Sequence, residues 1–156
     1  MVNKILFTFL LTIGFALVVT GQKKINFIIQ VNEKLVVSGL TDIHLIFDSV
    51  NTVEKFSVDY TVGDLIISDE LWSRIRSDST RSFFLKFNYN TFDKNRHKVA
   101  NFFVELKAFH LQQPYIILNI YDFRNKNYRR WYQWHTDKNF LSELNFPNSG
   151  VYIRRS

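Results

Sequence analysis

From Lys24 onward, apolar side chains recur at every second residue: Ile25, Phe27, Ile29 and Val31 alternate with Asn26, Ile28 and Gln30. A β-strand sends successive side chains to opposite faces, whereas a helix repeats every 3.6 residues, so this spacing predicts a strand with one dry face. The alternation returns over residues 43–47, 56–60 and 83–89, and is clearest over 99–108. There Ala100, Phe102, Val104, Leu106 and Ala108 form the expected inward face, opposed by Val99, Asn101, Phe103, Glu105 and Lys107. Ile116, Leu118 and Ile120 mark a further inward face, and shorter strands are expected at 35–37, 65–67, 128–135 and 151–153. Polar turns at 32–34, 93–96 and 124–127 separate them. Residues 68–78 are the one helix candidate, with Ser68 or Asp69 as cap and Leu71, Trp72 and Ile75 at helical spacing. Phe140, Leu141, Leu144 and Pro147 read as a loop with at most one helical turn.

Seven to nine short strands separated by polar turns predict an all-β domain. A wet face on each strand favours antiparallel pairing, because the strands of an all-parallel sheet are buried on both faces. The expected fold is therefore an antiparallel β-sandwich of immunoglobulin-like or transthyretin-like architecture with one short helix. A small closed β-barrel is the alternative, since about eight strands enclose an apolar ligand. In a barrel, Phe83, Phe87, Phe102, Leu106 and Leu118 would line the cavity of a lipid or glycan carrier.

The first residues read differently. Lys4 precedes an apolar run from Ile5 to Val19, and Val19-Thr20-Gly21 supplies small or modest residues before Gln22. This matches a signal peptide over 1–21 followed by a single all-β domain over 22–156. The run is short for a bilayer span, which needs about 20 apolar residues, and an uncleaved anchor is the alternative reading. Export to the periplasm, cell surface or extracellular space is expected, with no membrane span after cleavage. The chain has 156 residues and no cysteine, so disulfides, thiolate metal sites and a Cys nucleophile are excluded. Export without disulfides fits a bacterial envelope. The net charge of +6 comes from residues dispersed among 14 acids, which argues against a nucleic-acid footprint.

The most distinctive stretch is Tyr128-Arg129-Arg130-Trp131-Tyr132-Gln133-Trp134-His135. Read as a strand, it carries an aromatic and an arginine on both faces, so one aromatic group is expected at the surface. Trp, Tyr and Arg together favour stacking and protein interfaces. Arg129, Arg130, Trp131, Tyr132, Trp134 and His135 are the expected binding residues.

Catalytic signals are weaker. Asp42, His44 and Asp48 lie on the polar face of one strand, a grouping that suits acid–base or metal chemistry only with help from other strands. His97, His110 and His135 lack zinc-motif spacing and are expected at the surface. Neither a G-x-S-x-G elbow nor a glycine-rich phosphate loop occurs. No catalytic residue, metal or cofactor is expected. The sequence favours a non-enzymatic binding or assembly module of the envelope, with a protein partner or surface ligand, over an envelope hydrolase.

Overall fold

A computed structural model describes residues 21–49, 52–78, 82–93, 96–132, 139–149 and 152–154. Residues 1–20 of the expected signal peptide, Trp134 and His135 lie outside the described residues, as does the side chain of Tyr132. About 64% of the described chain is strand, in two sheets, with three short helices.

The first sheet is mixed. It runs β11 (Tyr152–Arg154), β10 (Phe140–Asn145), β9 (Ile116–Asp122), β1 (Gln22–Val31), β6 (Gly63–Ser68) and β5 (Asp59–Thr61). The short β2 (Lys34–Leu35) folds back on the end of β1. The second sheet is antiparallel, in the order β4 (Thr52–Ser57), β3 (Leu40–Ser49), β7 (Ser82–Asp93) and β8 (Arg96–Lys107). Both sheets stay open at their ends, so the chain forms no barrel.

One pairing corrects the expectation of a wholly antiparallel protein: β1 and β9 run parallel, with Phe27 opposite Ile116 and Val31 opposite Ile120. Side-chain alternation reports which face is dry but carries no strand direction. The parallel neighbour therefore left no mark on the pattern.

The alternate residues of both sheets enter a single core. Ile25, Phe27 and Ile29 of β1, Phe83, Leu85 and Phe87 of β7, and Ile116, Leu118 and Ile120 of β9 are all buried. The inward face expected for 100–108 is buried at every position. Each large apolar side chain among them contributes roughly 1.5–3 kcal/mol of transfer free energy. Rings fill the interior: Phe47 and Phe83 lie 5.1 Å apart, Phe87 and Phe102 5.4 Å, and Phe102 of one sheet meets Phe140 of the other edge-on at 5.1 Å. The five residues that would line a carrier cavity are instead core residues buried against these neighbours.

Val58 makes the corner between sheets. It is buried, its N–H donates to the Ile43 carbonyl at 3.1 Å, and the chain passes there from β4 to β5. Helix α1 (Asp69–Ser77) forms as expected, with the Ser68 hydroxyl accepting from the Leu71 amide at 3.2 Å, and Leu71 and Ile75 turned into the core. Its Arg74 bonds Glu54 of β4 and lies over the rings of Phe47 and Phe56.

The other two helices depart from the sequence pattern. Helix α2 (Ala108–Leu111) holds His110, expected at the surface but buried: its Nδ1 accepts the Lys107 amide at 3.0 Å, closing the turn. Helix α3 (Lys126–Tyr132) replaces the expected strand over residues 128–132. The expected loop at 140–147 is largely strand β10, and β11 ends the sheet as an edge. Among the described residues no helix is long and apolar enough to cross a membrane.

Candidate functional site

Two tight structures meet at one end of the mixed sheet. The first is the β1–β2 turn, where Val31 pairs with Lys34 and the two loop residues Asn32 and Glu33 both have positive φ (52° and 64°). This is the two-residue hairpin geometry that matches strand twist, and Asn tolerates it well. Asn32 is clamped to β9: its N–H donates to the Ile120 carbonyl at 2.7 Å, and its Oδ1 accepts the Asp122 amide at 2.8 Å.

The second is the β9–α3 junction. The Asp122 carboxylate is nearly buried and accepts from the Arg124 amide (3.0 Å) and from Arg124 Nε (2.8 Å). Arg124 Nη1 then reaches across to the Val99 carbonyl of β8 at 2.7 Å. A bidentate, charge-assisted pair of this kind holds a junction in one geometry. Asn125 starts α3, its Oδ1 accepting the Asn127 amide at 3.1 Å and its carbonyl the Arg129 amide at 3.0 Å.

The helix corrects the strand reading of the aromatic-basic stretch. Tyr128 is buried in a small cluster with Phe123 and Leu141, against Tyr121. Trp131, one helical turn on, meets the Tyr128 ring edge-on at 5.8 Å. On a strand those two residues would face opposite ways; i, i+3 spacing puts them on one side of a helix. Arg129, Arg130 and Trp131 are exposed, Trp131 by 59%. Of the six expected binding residues, the structure thus brings Arg129, Arg130 and Trp131 to one short surface helix.

Between the hairpin turn and α3 lies a recess of about 290 Å³, lined by Asn32, Glu33, Lys34, Asn125, Asn127, Tyr128 and Trp131. Its hairpin wall is invisible to sequence reasoning. Asn32-Glu33 is legible as a turn, but nothing in the linear pattern places residue 32 beside residue 128. The recess offers aromatic rings, side-chain amides, a carboxylate and an amine. Its lining contains no Ser, Thr, Cys or His.

The other candidate, Asp42 with His44 and Asp48, is only partly assembled. A bulge between Thr41 and His44 in the β3–β7 pairing, with Asp42 at φ 54°, turns the Asp42 carboxylate toward His44 Nδ1 (3.3 Å), Lys86 Nζ (3.4 Å) and Lys55 Nζ (3.6 Å). The His44 contact lies off the hydrogen-bond direction, leaving buried Nδ1 without a hydrogen-bond partner. Desolvation is the largest single influence on Asp42 and raises its pKa. The Lys86 hydrogen bond and the charges of Lys55, Lys86 and His44 together outweigh it and hold the carboxyl below its usual value. A carboxylate neutralised by two lysines is a structural anchor for the bulge. Among the described residues no group of three or more His, Asp or Glu is placed to hold a metal ion.

Comparison of the chain with protein-family models, with curated proteins and with solved structures gives no match.

Proposed function

We propose that this chain is an exported, non-enzymatic binding module of the bacterial cell envelope, built as a β-sandwich of immunoglobulin-like or transthyretin-like layering, and that its ligand site is the recess beneath Trp131. The observation that carries the reading is the exposed Trp131 set on a buried Tyr128, beside a turn clamped in place by Asn32. A large exposed aromatic in a formed recess is the usual signature of an anchor for a partner. Arg129 and Arg130 flank it on the same helix.

Size narrows the ligand. Small-molecule pockets span about 300–1,000 Å³, and this recess, at about 290 Å³, sits at the lower limit. It accommodates one sugar ring or one aromatic side chain of a partner, not an acyl chain. Amides and a carboxylate around an indole supply hydrogen bonds to hydroxyls while the ring stacks on an apolar face. The expected ligand is an envelope glycan or a protein segment presenting a ring.

The test is retention of the mature protein on envelope polysaccharide and on envelope extract, wild type against Trp131→Ala and Asn127→Ala. Asn127 is exposed, and Trp131→Ala forgoes the ring contact with Tyr128, about 0.5–1.5 kcal/mol, so both variants should stay folded with melting temperatures within several degrees of wild type. Loss of retention in both supports the site; unchanged retention in both refutes it. Mass spectrometry of the secreted product, starting at Gln22, checks the export step.

A further inference from the structure

We infer that β8 is a self-association edge, through which two copies of this chain pair antiparallel about Asn101 and join their four-stranded sheets into one. Among the described residues β8 pairs with β7 alone and is the last strand of its sheet. It spans Arg96–Lys107, about twice the length of an ordinary strand at about 5–6 residues. Long open edges are ready templates for another strand, and proteins that remain monomeric interrupt or cover them.

The direction of the backbone groups follows from the ladder. The Asn90 amide donates to the Gly39 carbonyl on the β3 side, so the even residues of β7 face β3 and its odd residues face β8. Tyr89 opposes Ala100 and Phe87 opposes Phe102, so the even residues of β8 bond to β7. The amides and carbonyls of Val99, Asn101, Phe103 and Glu105 therefore point to the open edge. Arg124 reaching the Val99 carbonyl from outside the sheet agrees with this assignment. A carbonyl accepts two hydrogen bonds, so that contact leaves a lone pair for a ladder bond.

The side chains point the same way. Antiparallel pairing centred on Asn101 sets Val99 opposite the partner's Phe103 and His97 opposite the partner's Glu105, with Asn101 opposite the partner's Asn101. Val99 and Phe103 are 44% and 42% exposed, and Phe103 already stacks on Phe84 at 4.3 Å, so the pairing extends an existing aromatic patch. His97 Nε2 is engaged by Asn90 Oδ1 at 3.0 Å and its ring lies 5.4 Å from that of Phe92. The outward residues of this strand form a self-complementary series, which is what an isologous contact requires.

Sedimentation equilibrium of the mature chain tests the inference. Wild type should show a reversible monomer–dimer equilibrium. Asn101→Pro removes a donor that points away from β7, so it should abolish the dimer while leaving circular dichroism unchanged. His97→Glu places two like-charged pairs in each dimer and should weaken association by roughly 2- to 30-fold. His97→Glu combined with Glu105→Lys should restore it. A wild type that is monomeric throughout, a dimer that survives Asn101→Pro, or a double variant that fails to recover would each overturn the proposal.

Discussion

The separation of Tyr128 from the main core has a measurable consequence. Tyr128 packs with Phe123 and Leu141 in a cluster distinct from the one that joins the two sheets. Replacing it with alanine removes a buried ring, roughly 1.5–3 kcal/mol of transfer free energy. It also removes ring contacts with Tyr121 (5.6 Å) and Trp131 (5.8 Å), about 0.5–1.5 kcal/mol each. The total, roughly 2.5–6 kcal/mol, exceeds anything a seven-residue helix supplies by itself, since isolated helices shorter than about 12–15 residues are marginal in water. Tyr128→Ala should therefore undock α3. The global cost saturates there, because once α3 is released the mutation has nothing further to remove. Hydrogen-exchange mass spectrometry should show residues 126–132 losing protection while β7 and β8 retain theirs. Phe87→Ala, wholly within the main core, is the control: at about 3–5 kcal/mol it should lower protection throughout and the melting temperature by on the order of 10 °C. If Tyr128→Ala behaves like Phe87→Ala, with every strand exchanging faster and an equal fall in melting temperature, the two clusters are one cooperative unit and α3 does not open alone.

Three further outcomes are expected. Gly39 has φ +86°, and a Cβ there would lie 2.5 Å from the Asn90 carbonyl oxygen, so Gly39→Ala should cost about 1–3 kcal/mol in urea denaturation. Ser68→Ala removes the cap of α1 and should cost about 1 kcal/mol by the same measurement. Asp42 has a folded pKa below 3.8, so its contribution to stability is fully present above that value and lost as pH falls through the folded pKa. Asp42→Asn should therefore destabilise at pH 7 and lose less than wild type on acidification; denaturant melts that shift in parallel at both pH values would contradict the assignment.

The strands of the core were legible because burial alone decides the pattern there. Every inward residue read from 99–108 and 116–120 is buried, since a one-residue slip would turn the whole set to solvent. Strand direction, sheet membership and the corner at Val58 were not legible, because they depend on contacts between residues far apart in sequence. His110 shows the same limit at a single residue. Its burial follows from the Lys107 amide that it accepts, a partner three positions away that only the turn brings within reach.

The aromatic-basic stretch resists the strand reading for a more instructive reason. At period two it puts an aromatic and an arginine on each face, a pattern with no dry side. A strand at the surface of a packed sheet does not have that composition, so the conflict is itself evidence against the strand. The spacing of Tyr128 and Trp131, together with Asn125 at a cap position, is the competing signal for a short helix. That signal is weak because a helix of two turns leaves too few residues for its period to stand out. Sequences are locally consistent where packing is the only demand, and the conflicts gather where a side chain is held for another purpose. Here the conflict falls on Trp131, a large apolar ring left 59% exposed by a helix whose Tyr128 is buried. That exposed ring is the one on which the proposed ligand site rests.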